Sequence, residues 1–247
     1  MAKDGLTDRR YSMTRMQRIH HRESNWVLAP NDRTNRGLQI VSLPGKTKDG
    51  QPRRWADHLA NALSQVASPP VLSVLMTGLC AVRLSQARAW SLAIVHVGLT
   101  VALPIAFLVW LLARGIVSDL DVQHREERFW PMLAAVGGAA ASLTILRLGT
   151  TPPLLFGLSL ATFFQLLLIL TITMHWKISV HTTAAASFAT LVYSLDGAKA
   201  LPLAGLTLLV AWARVRLKRH TLAQTIAGAM LGSLTTMIAL TFGGNLR

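Results

Sequence analysis

Residues Trp212–Gly232 read WARVRLKRHTLAQTIAGAMLG. Arg214, Arg216, Lys218, Arg219 and His220 separate two strongly apolar segments, 199–213 and 221–242. A membrane span needs about 20 apolar residues, so a basic cluster between two such segments reads as a loop joining membrane helices. That reading sets the fold class and leaves one question open. The cations either face anionic lipid or hold a phosphate.

Composition extends the same reading over the whole chain of 247 residues, 51% hydrophobic and only 15% charged, yet with a formal charge of +14. A soluble domain carries about 25% charged residues. Residues 1–69 hold 12 of the 25 Lys and Arg, and long apolar runs follow. The single cysteine, Cys80, excludes an intrachain disulfide and a cysteine-based metal site. The first 30 residues lack the apolar core of a secretory signal, so insertion is expected to begin at the first membrane helix, with the N-terminus inside.

Three regions are expected. Residues 1–53 form a basic, largely disordered cytoplasmic arm, rich in turn-forming pieces such as LAPNDRTNRG. Residues 54–70 place Trp55, Leu59, Ala62, Leu63 and Val66 at helical spacing, as an interfacial amphipathic helix stopped by Pro69-Pro70. Residues 71–247 form an all-α, polytopic membrane bundle of six to seven transmembrane helices, with apolar segments near 71–84, 90–113, 131–148, 153–174, 179–196, 199–213 and 221–242.

The order of these segments places three polar loops on one membrane face. Two segments lie between the loop 114–130 and the loop 175–181, and two more separate the latter from 214–220. If each pair is a hairpin, the chain returns every time to the side it left. Trp110, Trp130, Trp176 and Trp212 flank these loops as an interfacial aromatic belt would. The loops also carry more Lys and Arg than the opposite ends, which orients the shared face to the cytoplasm of a plasma or inner membrane.

Each loop brings groups suited to phosphate. The first, SDLDVQHREERFWP, offers Arg125 and Arg128, with Asp121 on the same helical face. The second, HWKISVHTT, offers Lys177, Ser179 and His181. The third offers Arg214 and His220, with Gln224 one turn beyond the histidine and able to set its tautomer. Taken singly, each loop is equally a solvated juxtamembrane helix, a set of interfacial anchors or a positive-inside cluster. Convergence on one face favours a shared anion site. Gly228 and Gly232 form a GxxxG pair expected to serve close helix packing within the chain, with dimerisation as the alternative.

In this arrangement the sequence resembles the type 2 phosphatidic acid phosphatase family, membrane lipid phosphatases whose helical fold is shared with vanadium haloperoxidases. Its motifs run K-x6-R-P, P-S-G-H and S-R-x5-H-x3-D. Ala213-Arg214, His220 and Gln224 keep the spacing of the third, and Ile178-Ser179-Val180-His181 keeps the Ser and His of the second. Arg128 fits the Arg of the first, while Asp121 and Phe129 stand at its Lys and Pro. The resemblance covers about 115–235. It implies that His220 attacks phosphorus and forms a phosphohistidine, that His181 protonates the leaving oxygen, and that Arg128, Arg214 and Ser179 hold phosphoryl oxygens. Lys177 and Arg125 are further candidates for phosphate binding, and Gln224 stands where the family's orienting Asp would.

The expected function is hydrolysis of a phosphate or diphosphate from a membrane lipid, isoprenoid diphosphates being favoured over phosphatidate-type lipids, without metal or other cofactor. The alternative is a catalytically silent, phospholipid-binding scaffold on the same fold. Anionic lipid is the expected partner of the basic arm, and nucleic acid is not expected. Walker and dinucleotide glycine motifs are absent from the sequence.

Overall fold

The computed structural model describes residues 26–30, 38–42, 55–118 and 126–245. The chain divides into two compact units, residues 1–58 and 59–247. In the first, β1 (Trp26–Pro30) and β2 (Leu38–Ser42) pair antiparallel, Leu28 opposite Ile40. Their apolar and β-branched residues suit strands. The basic arm thus contains a short hairpin, and its other residues, on which the reading of disorder falls, lie outside the described ones.

Helix α1 (Trp55–Val66) ends at a sharp break, and α2 (Pro69–Leu84) leaves it at 46°. Ser68 is the N-cap of α2, with proline in its first turn. Pro69 and Pro70 therefore open a helix as well as ending one, since proline at the first helical positions forfeits no intrahelical bond. Next, α3 (Ala87–Val97) passes through a π turn, Gly98–Ala102, into α4 (Leu103–Ala113) without interruption. The remaining helices are α5 (Phe129–Leu148), α6 (Pro153–Thr173), α7 (Val180–Asp196), α8 (Pro202–Arg216) and α9 (Leu222–Asn245).

Four stretches are long and apolar enough to cross a membrane: Ala87–Ala113, Phe129–Leu148, Pro153–Thr173 and Leu222–Phe242. The bent pair α1–α2 makes a fifth if it counts as one span. The six to seven spans expected from hydropathy also need α7 and α8, which at 17 and 15 residues are short for a crossing. Trp90, Trp110, Trp130, Trp176 and Trp212 are all exposed, as belt residues must be.

Because lipid tails are as apolar as leucine, helices in a bilayer associate through close backbone approach and interhelical hydrogen bonds. Both operate between α7 and α9. A Cβ built on Gly228 would lie 2.6 Å from the Ser179 carbonyl oxygen, and one on Gly232 would run into the carbonyl oxygen of Thr183. Ser187 Oγ donates to the Gly232 carbonyl at 3.2 Å, and Gln165 Nε2 on α6 donates to Ser187 Oγ at 2.8 Å and Thr236 Oγ1 at 3.2 Å. The GxxxG pair therefore serves packing inside the chain. A second polar tie crosses α3, α5 and α6: His96 Nδ1 lies 2.8 Å from Ser142 Oγ, itself 3.5 Å from Ser159 Oγ, all three residues buried.

Gly232→Ala should lower the melting temperature in detergent, a loss of about 1–3 kcal/mol from overpacking. Gly78→Ala on α2, where an added Cβ meets nothing within 4 Å, should be neutral or stabilising by up to about 1 kcal/mol. Equal responses of the two would contradict backbone contact as the reason for Gly232.

Candidate active site

The first loop is braced at both ends. Ser118, beyond α4, donates from its backbone N and its Oγ to Glu127 Oε2, each at 2.9 Å. Glu127 belongs to the 3₁₀ turn Glu126–Arg128, which runs directly into α5, so Arg128 is fixed at that helix's entrance. Asp121 and Arg125, placed by spacing on one helical face with Arg128, lie outside the described residues.

The second loop ends in a helix cap. Ser179 is fully buried, and its Oγ accepts from the Thr182 backbone N at 3.4 Å, leaving the hydroxyl hydrogen to donate elsewhere. His181 is the second residue of α7, close to the positive end of the helix dipole. Lys177, two residues before the cap, is exposed.

The third loop is a tight reversal. Lys218 adopts φ +53°, the left-handed region that non-glycine residues seldom enter. The turn aims the backbone N–H groups of Arg219 and His220 at the Arg214 carbonyl, at 3.0 and 3.3 Å. Thr221 then starts α9 with reciprocal bonds. Its Oγ1 accepts from Gln224 N at 3.3 Å, while Gln224 Oε1 accepts from Thr221 N at 3.1 Å. That is a capping box. Gln224 Oε1 also lies 3.2 Å from His220 Nδ1. Because this oxygen already accepts the Thr221 N–H, it faces Nδ1 as an acceptor. Nδ1 therefore carries the ring hydrogen, and Nε2 keeps its lone pair.

The three loops meet. Ser179 N donates to the Gln224 carbonyl at 3.3 Å, joining the second loop to the third. Arg128, Lys177 and Arg214 all act electrostatically on His220. Burial first, then Arg214 and Lys177, push the His220 imidazole down to about 4, against a weaker upward pull from Gln224. His220 is thus a neutral base at pH 7. Lys177 is also held below the ordinary lysine range, by desolvation and then by Arg128, Arg214 and Arg219. Arg219, one of the cations of the third loop, therefore belongs to this group. His181, half-buried, faces Arg214 and His220.

So much positive charge at a partly desolvated site suits an anion with several oxygens. Among the described residues, no group of three His, Cys, Asp or Glu side chains is arranged to hold a metal ion.

Two participants escaped the sequence reading. Thr221 carries a legible signal, the T-x-x-Q spacing of the capping box. Ser64 of α1 accepts from Arg214 Nη1 at 2.8 Å across 150 residues of sequence, and no local pattern announces such a contact. No family model, curated protein or solved structure matches the chain.

Nitrogen-15 NMR of the His220 ring should show Nδ1 protonated and titration near 4. An unfolded histidine titrates near 6.5, so between those values the unfolded chain binds more protons, and this site's stabilisation is lost as pH falls from 6.5 towards 4. Arg214→Ala should move the His220 titration upward. An ordinary value in the wild type, unmoved by that substitution, would contradict the clustering.

Proposed function

We propose that the chain is a lipid phosphate phosphatase working through a phosphohistidine, its substrate headgroup entering at the three-loop face. The observation that carries this reading is His220, neutral, with Nδ1 held by Gln224 and three cations around it. In the proposed first step the Nε2 lone pair forms the P–N bond while the bond from phosphorus to the lipid oxygen breaks. Burial first, and then Arg214 and His220, disfavour a charged His181, so in this scheme its imidazole takes a proton from the incoming phosphate monoanion and passes it to the leaving alkoxide. Water then attacks the phosphohistidine, passing its proton by way of His181 to the departing phosphate and returning His220 to its starting state. Arg128, Lys177, Arg214 and the Ser179 hydroxyl stabilise the charge spread over the phosphoryl oxygens. The spacing shared with the type 2 phosphatidic acid phosphatases supports the same assignment. Isoprenoid diphosphates remain the favoured substrates.

The departure at Gln224 sets the rival reading, a phospholipid-binding scaffold without turnover. An aspartate there would place a negative charge beside the imidazolium-like transition state, whereas the amide offers orientation alone. In a serine-protease triad the exchange of Asp for its amide costs about 10⁴ in rate, largely through the wrong tautomer. Here the capping box holds the amide oxygen towards His220, which preserves the tautomer and argues for residual activity.

Phosphate release from a panel of lipid phosphates in detergent is expected for the wild type, with His220→Ala reducing it by about 10⁴-fold or more. Gln224→Glu keeps the reach of the side chain and adds charge, so the rate should rise by about tenfold or more. No release above the His220→Ala background would leave the scaffold as the surviving reading.

We further propose that α7 and α8 form a crossing pair, giving six to seven spans, with the three-loop face in the cytoplasm. Cysteine at position 218 should then react with an impermeant maleimide only after membranes are opened. Labelling of intact cells would reverse the orientation.

A further inference from the structure

Helix α1 has two unlike sides. Ala60, Ser64 and Ala67, at i, i+4 and i+7, form a buried stripe that runs past the helix end, while Leu59 and Val66 are exposed. Ala67 joins an apolar cluster with Leu72 of α2, Ala184 and Ala185 of α7, and Val210 of α8. Ser64 is the polar member of the buried stripe, and its Oγ receives the Arg214 Nη1 hydrogen at 2.8 Å. A guanidinium has several donors on one rigid plane, so fixing one of them fixes where the others point. It also removes freedom that a long side chain would otherwise lose when an anion binds.

We propose that Ser64 is a positioning residue for the phosphate site, and that α1 is the arm presenting it, seated on the lipid surface through Leu59 and Val66. The seat commits to a bilayer because the same chain carries four membrane-length apolar helices and an exposed tryptophan belt. The arm is joined to the spans by the 46° bend ahead of Pro69, so its angle is set where it lies on the surface as well as at the bend. Ser64 touches no reacting atom in this scheme and acts only through Arg214. The inference rests on the phosphate-site reading given above.

The test uses the full chain in lipid nanodiscs and orthovanadate, a phosphate-shaped anion, with binding followed by calorimetry. Ser64→Ala should weaken vanadate binding about tenfold, the effect of losing a hydrogen bond to a charged group, while Ser64→Thr, which keeps the hydroxyl, should stay within about twofold of wild type. A purely structural role would lower the melting temperature and leave vanadate affinity in the folded fraction unchanged. The double variant Leu59→Gln, Val66→Gln should weaken binding in nanodiscs, and adding Ser64→Ala to it should cost little more, since all three would break one link. Additive losses would overturn the link to the lipid surface. Wild-type binding matched by Ser64→Ala would overturn the Ser64 role alone. No vanadate binding by the wild type would overturn the phosphate site itself, and the positioning role with it.

Discussion

The contact of α7 with α9 at Gly228 and Gly232 is the constraint from which the candidate site follows. At Gly228 the backbone of α9 lies against the Ser179 carbonyl and the hydroxyls of Thr182 and Thr183. No side chain fits between them. One turn above Gly228 sits Gln224, and one turn above that sits His220, so closeness in the bundle becomes closeness at the surface. The bond from Ser179 N to the Gln224 carbonyl is the last rung of that approach. A bulkier residue at 228 would separate His181 from His220 before any loop residue was altered.

Electrostatics add a tension that packing alone would not create. Arg128, Lys177, Arg214 and Arg219 are drawn together with partial desolvation, and Lys177 responds by holding its proton less firmly. Assembling like charges costs free energy that the helix packing must supply. Sites that concentrate cations in this way are stabilised by an anion, and the helix N-termini of α7 and α9 contribute in the same sense. The shape of the third loop, with Lys218 in a left-handed conformation, is what turns His220 back over Arg214.

How much of this was legible depends on the range of the interaction. Apolar periodicity is local, and the seven segments it suggested correspond to α2 through α9, with α3 and α4 read as one. The parity of those segments put three loops on one face, and their charged residues do interact. The bond between Gln224 and His220 lies within one turn and was readable from spacing. Crossing number was less readable, because α7 and α8 are short and apolar length alone does not decide whether a short helix crosses. Pro69-Pro70 was ambiguous for a different reason: the same dipeptide ends one helix and begins another. Ser64 on Arg214 was beyond reach, since it depends on the bend between α1 and α2 and on the packing of Ala67. The π turn was also unread: the Leu99 carbonyl within it lies against Gly138 of α5, where a side chain would not fit, and Pro104 just beyond it has no N–H for the preceding turn.

The continuous helix Ala87–Ala113, with its 27 residues, carries a consequence for the surrounding bilayer. At about 1.5 Å per residue it is roughly 40 Å long, some 10 Å more than a typical hydrocarbon core. Such hydrophobic mismatch is absorbed by tilt, by local thickening of the lipid, or by lifting an end into the headgroups. The end that leads into the first loop carries Trp110, with the Arg114 guanidinium stacked 5.2 Å from the ring, an anchor that resists sinking. A few residues later Ser118 is tied to Glu127, the neighbour of Arg128. In a bilayer, thickness would therefore bear on this helix mechanically: a thinner membrane would tilt it further, and the tie from Ser118 to Glu127 would carry that strain towards Arg128.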